Sequence, residues 1–179
     1  MNRNILIIFI SLVIIACKSP EGRSPIQHNS GTFINKSVER NKAIYDQEET
    51  QILELLNSNP EQPYLVSESG FWYYYNKKDT LSTQKPTFGD PITFLYDVKL
   101  LNGTTILSEE EVGLQNYLVD KTNQELISGI RDGIKLMKQG EIVTFLFPSF
   151  KAYGYYGIEG KLGTNVPVKC KVTLKSIKH

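Results

Sequence analysis

Histidine is almost absent from this chain: 2 in 179 residues, His28 and His179. His28 sits in a polar stretch and His179 at the last position, so neither is placed to be held rigidly in a core. A Ser-His-Asp or Cys-His nucleophile needs a positioned base, and that chemistry is excluded. Cysteine is as scarce, with Cys17 and Cys170 alone. Without a cluster of Cys and His ligands no zinc site can be built, and neither metal nor other cofactor is expected. The net charge is +1 and the basic residues are dispersed, so no nucleic-acid partner is expected. Glycines 154, 157, 160 and 163 form neither G-x-x-x-x-G-K-[ST] nor G-x-G-x-x-G after a strand. They read instead as residues that let a tight loop turn over a cavity. One continuous apolar run stands out, residues 5–15, and it is shorter than the ~20 residues a spanning helix needs.

That run follows Arg3 and reads as a signal peptide. Its end, Ile14-Ile15-Ala16-Cys17, resembles the bacterial lipobox, in which a small residue precedes a cysteine that is acylated and becomes the new N-terminus. The alternative is an ordinary cysteine after a signal anchor. The lipobox reading makes residues 1–16 a lipoprotein signal peptide and Cys17 the lipidation site. It places the protein in the bacterial cell envelope, anchored through lipid and facing the periplasm, with the outer membrane the expected location. Cys170 then has no partner, and no disulfide is expected.

Residues 17–35 are rich in Ser, Pro, Gly, Asn and Lys and lack a period, as a flexible tether does. An N-terminal helix is expected within residues 36–60, over 37–57. Ile44, Glu48, Ile52, Leu55 and Leu56 form a partial stripe, stopped by Asn57-Ser58-Asn59-Pro60. Packing on the following domain, pairing with another copy and lying free all stay open. The stripe is narrow and gives a homodimer little support. Strand patterning begins near Tyr64. Phe71, Tyr73 and Tyr75 alternate with Trp72 and Tyr74, so both faces of that strand are aromatic. Ile92, Phe94, Tyr96, Val98 and Leu100 share one face, opposite Leu95, Asp97 and Lys99. Asn102-Gly103 is a type I′ hairpin dipeptide, and the acidic run 109–111 reads as a solvated loop.

The most informative stretch is 125–154, ELISGIRDGIKLMKQGEIVTFLFPSFKAYG. Leu126, Ile127, Ile130, Ile134 and Met137 recur at helical spacing, and Gly140 falls where a left-handed cap would end that helix. Residues 142–147 are a β-branched and aromatic strand stopped by Pro148. A loop with Tyr153 beside Gly154 follows. In the closing strand Val168, Cys170, Val172 and Leu174 face inward. Several strands and one central helix give an α+β domain over residues 61–179: an antiparallel β-sheet wrapped around one central α-helix, preceded by the N-terminal helix.

A lone helix, a strand and an AYG loop in that order resemble the FKBP-type peptidyl-prolyl cis-trans isomerase domain. The resemblance runs from residue 68 to 178. It takes in SGFWYY, Gly89-Asp90, Tyr96 in place of the pocket tyrosine, Ile106 in place of a pocket phenylalanine, and Leu126-Ile127-x-Gly129 in place of V-I-x-G. With its leader, the chain is most similar to the gliding-motility-associated lipoprotein isomerases of gliding bacteria. The resemblance implies an FKBP-like fold and X–Pro isomerisation in exported proline-containing polypeptides. It implies a pocket built by Tyr96, Ile106, Leu126, Ile127, Ile130, Tyr153, Ile158 and Leu162. In it Ile127 gives its backbone N–H to the peptide carbonyl, Tyr153 gives its hydroxyl, and Ile130 forms the floor. Taken alone, Ile127 and Ile130 are core residues on an apolar stripe, and Tyr96 can be core with its hydroxyl paired internally. The chain departs from the family at three places: Leu107 replaces the pocket acid, Ile130 the floor tryptophan, and Cys170 the phenylalanine of the last strand. These imply weak turnover and poor macrolide binding, and keep open a non-catalytic peptide-binding chaperone or scaffold on the same fold.

Overall fold

The computed structural model describes residues 30–121 and 126–178. The leader, Cys17, the tether up to residue 29, His28 and His179 lie outside the described residues. The chain divides into two compact units, residues 1–36 and 37–179, and the account below concerns the larger. Helix α1 spans Ser30–Ser58. It begins at Ser30 rather than at residue 37, inside the stretch read as tether, and ends within a residue of its expected stop. Among the described residues eight strands make one antiparallel sheet: β1 (Leu65–Ser67), β2 (Phe71–Lys77), β3 (Pro91–Tyr96), β4 (Val98–Leu100), β5 (Thr105–Leu107), β6 (Gln115–Leu118), β7 (Ile142–Phe147) and β8 (Val168–Ile177). Their order is β1-β2-β7-β8-β3-β6, with β4 paired to both β8 and β5. Helix α2 (Glu109–Val112) and helix α3 (Ser128–Ile134) complete the elements described here.

Alternation explains the sheet. On β8 the inward residues Val168, Cys170, Val172 and Leu174 are buried, while the lysines between them are not. Phe71 of β2 meets Phe145 and Phe147 of β7 at ring-centroid distances of 5.8 and 5.3 Å. Helix α3 lies on these rings because it carries glycine there. A Cβ on Gly129 would stand 2.6 Å from Phe147, and one on Gly133 would stand 2.8 Å from Phe145. Both faces of β2 are aromatic because both are covered. On the outer face Trp72 and Leu146 are buried with Ile52 of α1, and Tyr74 packs edge-on against Tyr64 at 4.9 Å. So α1 packs on the sheet through its stripe.

Several local expectations are corrected. Helix α3 stops at Ile134, before Met137 and Gly140. Met137 is nonetheless buried in the main cluster, through turns that close as Leu136 N–H donates to Gly133 and Met137 N–H to Ile134. Gly140 has φ +83 but serves the turn into β7, donating to the Leu174 carbonyl at 2.7 Å. The single strand expected from Ile92 to Leu100 is broken at Asp97 into β3 and β4. Asn102-Gly103 is not type I′, which needs positive φ at both residues. Only Gly103 has it, and its N–H donates to Leu100, a type I turn ending in a glycine bulge. The acidic run is not a loop but α2. Ser108 accepts from Glu111 N–H while the Glu111 side chain accepts from Ser108 N–H, a capping box whose S-x-x-E signature stands in the sequence.

Candidate functional site

Tyr96 ends β3 opposite Val172 of β8, which directs its ring over the inner face near Cys170. Tyr153 reaches the same place from the loop after β7. The two phenol groups lie close enough to perturb each other, and both feel Cys170. Burial pushes the Tyr153 phenol far above its ordinary range, and Tyr96 and Cys170 push it further. Burial raises Tyr96 as well, with Cys170 second, while Tyr153 partly offsets this. Burial raises the Cys170 thiol, and Asp97 adds to it. All three groups are therefore neutral at neutral pH, and the patch is a polarised but uncharged surface.

Helix α3 supplies the neighbouring wall. Ile127 is its N-cap residue, so its N–H is among the four that a helix start leaves without an intrahelical partner. Leu126, Ile127, Ile130 and Leu162 are buried in the main cluster, and Ile106, Tyr96, Tyr153 and Ile158 pack on it while keeping some surface. All eight residues therefore belong to one cluster or pack against it: Tyr96, Tyr153, Ile106 and Ile158 keep some surface, and Ile130 is at 0% exposure. Ile158 and Leu162 are bridged, Ile158 N–H donating to Leu162 at 2.9 Å. Gly157 makes that turn possible: its φ is +62, and a Cβ there would stand 2.2 Å from the Leu162 carbonyl oxygen.

Two acids matter here that composition and patterning did not single out. Leu107 is half-buried in β5 and offers the tyrosines no polar anchor. Asp97 is buried, but its carboxylate accepts from Lys171 N–H at 2.9 Å and pairs with Lys99 at 3.0 Å. Its signal was a charge between Tyr96 and Val98 in an apolar strand. Glu48 of α1 is also buried and binds Ser149 at the head of the Tyr153 loop. Its signal was a carboxylate inside an apolar stripe. Among the described residues no group of three or more His, Cys, Asp or Glu side chains gathers as a metal would require.

Comparison with known proteins bears on the family and the fold. A family model for FKBP-type peptidyl-prolyl cis-trans isomerase matches residues 82–175. The chain is 34% identical over 95 residues to "Peptidyl-prolyl cis-trans isomerase Mip" of Coxiella burnetii, covering 53% of this chain and 40% of that protein. It is 30% identical over 146 residues to "Outer membrane protein MIP" of Legionella longbeachae, covering 80% and 57%. The chain thus spans about half the length of these relatives. The crystal structure of FkpA from Escherichia coli superposes with a TM-score of 0.59 at 18% identity, covering 99% of this chain and 83% of that one, a likeness of fold.

Proposed function

The chain belongs to the FKBP-type peptidyl-prolyl cis-trans isomerase family, and on that premise we propose that its Tyr96–Tyr153 pocket catalyses X–Pro rotation in exported polypeptides. The observation that carries this reading is a pair of neighbouring, neutral phenols packed on the apolar cluster that holds Ile127 and Ile130. X–Pro rotation needs no titrating group. Its barrier of ~18–20 kcal/mol is lost amide resonance. A dry pocket disfavours the polar planar amide relative to the less polar twisted one. The Ile127 N–H and one phenol proton then hold the peptide carbonyls, and Ile106 and Ile158 pack the proline ring. The test is exchange between the cis and trans signals of a single-proline peptide. Acceleration by the chain supports the reading.

The second reading, a peptide-binding scaffold without turnover, is favoured by Leu107, Ile130 and Cys170 standing where the family has an acid and two large aromatics. Peptide binding without acceleration selects it.

We further infer an envelope lipoprotein. Support comes from the apolar run ending in Ala16-Cys17 and from the printed name of the Legionella relative, an outer membrane protein. None of the described helices is long and apolar enough to cross a membrane; we assign attachment to acyl chains at Cys17 from the lipobox-like end of the leader. Palmitate labelling is expected to vanish in Cys17→Ser; labelling that persists contradicts the anchor. Support for a role in gliding motility is confined to the likeness of the leader and domain together.

A further inference from the structure

Helix α1 lies outside the matched segment 82–175, yet one of its side chains grips the turn that precedes Tyr153. Glu48 is 3% exposed, and a carboxylate so withdrawn from water persists only where its oxygens are satisfied. Both are. Ser149 N–H donates to Glu48 Oε2 and the Ser149 hydroxyl to Oε1, each at 2.6 Å. Charge-assisted bonds of this kind are roughly twice as strong as neutral ones. The Ser149 carbonyl in turn accepts from Ala152 N–H at 2.9 Å and from Gly154 N–H at 2.8 Å. Ala152 and Gly154 are the two chain neighbours of Tyr153. A hydrogen-bonded path therefore runs from Glu48 through Ser149 to the backbone on both sides of the pocket tyrosine.

Docking of the helix alone does not call for an acid. Ile52 already packs α1 against Trp72 and Leu146, Tyr45 meets Phe150 at 5.6 Å, and an apolar side chain often replaces a buried charge without loss of stability. What a two-pronged carboxylate adds is direction. From the other side, Ser128 Oγ–H donates to the Lys151 carbonyl at 3.3 Å and Lys151 pairs with Asp132 at 2.9 Å. Those bonds fix the turn two residues short of Tyr153.

We propose that Glu48 is a positioning residue for the pocket: through Ser149 it sets the backbone around Tyr153, and so the direction of the Tyr153 hydroxyl. The inference rests on the reading of Tyr153 as a pocket residue given above. It makes an element outside the matched domain part of the catalytic geometry.

The test combines residue-resolved amide exchange and isomerisation rates on the full chain. In Glu48→Gln, exchange at Ala152 and Gly154 should rise about tenfold while Val172, in β8, is unchanged. Glu48→Gln and Tyr153→Phe should each slow isomerisation, by about fivefold, and the double variant should be no slower than Tyr153→Phe alone. Ser149→Ala, which keeps the backbone bond, should show the same pattern more weakly and serves if Glu48→Gln does not fold. Exchange unchanged at Ala152 and Gly154, or raised equally across β7 and β8, overturns the proposal. So does a double variant slowed by the product of the single effects. A folded wild type without isomerase activity overturns the function proposed above instead, and the localised or uniform pattern of exchange then decides the role of Glu48 by itself.

Discussion

The two faces of strands β2 and β7 are built on different terms. On the inner face Phe71, Phe145 and Phe147 have ring centroids within 6 Å of one another, and α3 approaches so closely that glycine is required at 129 and 133. On the outer face Trp72 and Leu146 meet Ile52, a small cluster, and a buried carboxylate binds nearby. The inner face gets its stability from dense packing and fixes the pocket floor. The outer face holds an accessory helix by a small apolar cluster and one polar clamp. A packed surface tolerates neither loss nor addition of atoms, whereas a small satellite cluster loses stability without losing the fold.

Truncations on the two faces break this comparison most strongly. Phe147→Ala should cost about 3–5 kcal/mol in denaturant unfolding, because its neighbours cannot collapse into the space. Ile52→Ala should cost about 2 kcal/mol, at the low end for such a deletion, since few residues surround it. Equal losses at the two sites would contradict the difference between the faces. Gly129→Ala sharpens the inner face from the other direction. Overpacking against Phe147 should cost about 1–3 kcal/mol, against roughly 1 kcal/mol regained from helix propensity. An Ala variant more stable than the parent would show that α3 is free to shift.

Smaller effects follow at the pocket. Tyr153→Phe removes a neutral donor and should raise the barrier by ~1 kcal/mol, about fivefold in rate, with little change in melting. Turnover should be flat from about pH 6 to 8, because Tyr96, Tyr153 and Cys170 are all pushed upward by burial. Stability should fall in alkali. The Tyr75 phenol is raised to about 12 by burial first and Glu141 next. Unfolded tyrosines ionise near 10 while the folded one keeps its proton. The contribution is therefore fully present below pH ~10 and lost as pH rises toward about 12. Chemical denaturation at stepped pH reads this directly.

Most of the inner face was legible in the sequence because its signals are periodic. The alternation on β8, the aromatic run of β7 and the spacing of Leu126, Ile127, Ile130 and Ile134 each follow from a repeat that burial imposes. The end of α3 was not legible. Met137 keeps helical spacing to Ile134, yet it reaches the core through turns, so burial and helix part company there. The break at Asp97 and the clamp at Glu48 escaped for a shared reason. Each depends on a backbone group far along the chain, Lys171 N–H and Ser149 N–H, and no local pattern encodes such a partner. The residues around Tyr153 were legible only as members of a family pattern. The nearness of Tyr153 to Tyr96 and Cys170 emerged from the structure.

Cis–trans exchange of a single-proline peptide, measured with the folded chain and with Tyr153→Phe between pH 6 and 8, tests the central claim most directly. The pocket of neutral phenols predicts acceleration that does not vary with pH and drops about fivefold in the variant. A chain that melts cooperatively yet leaves the exchange at its uncatalysed rate would contradict it.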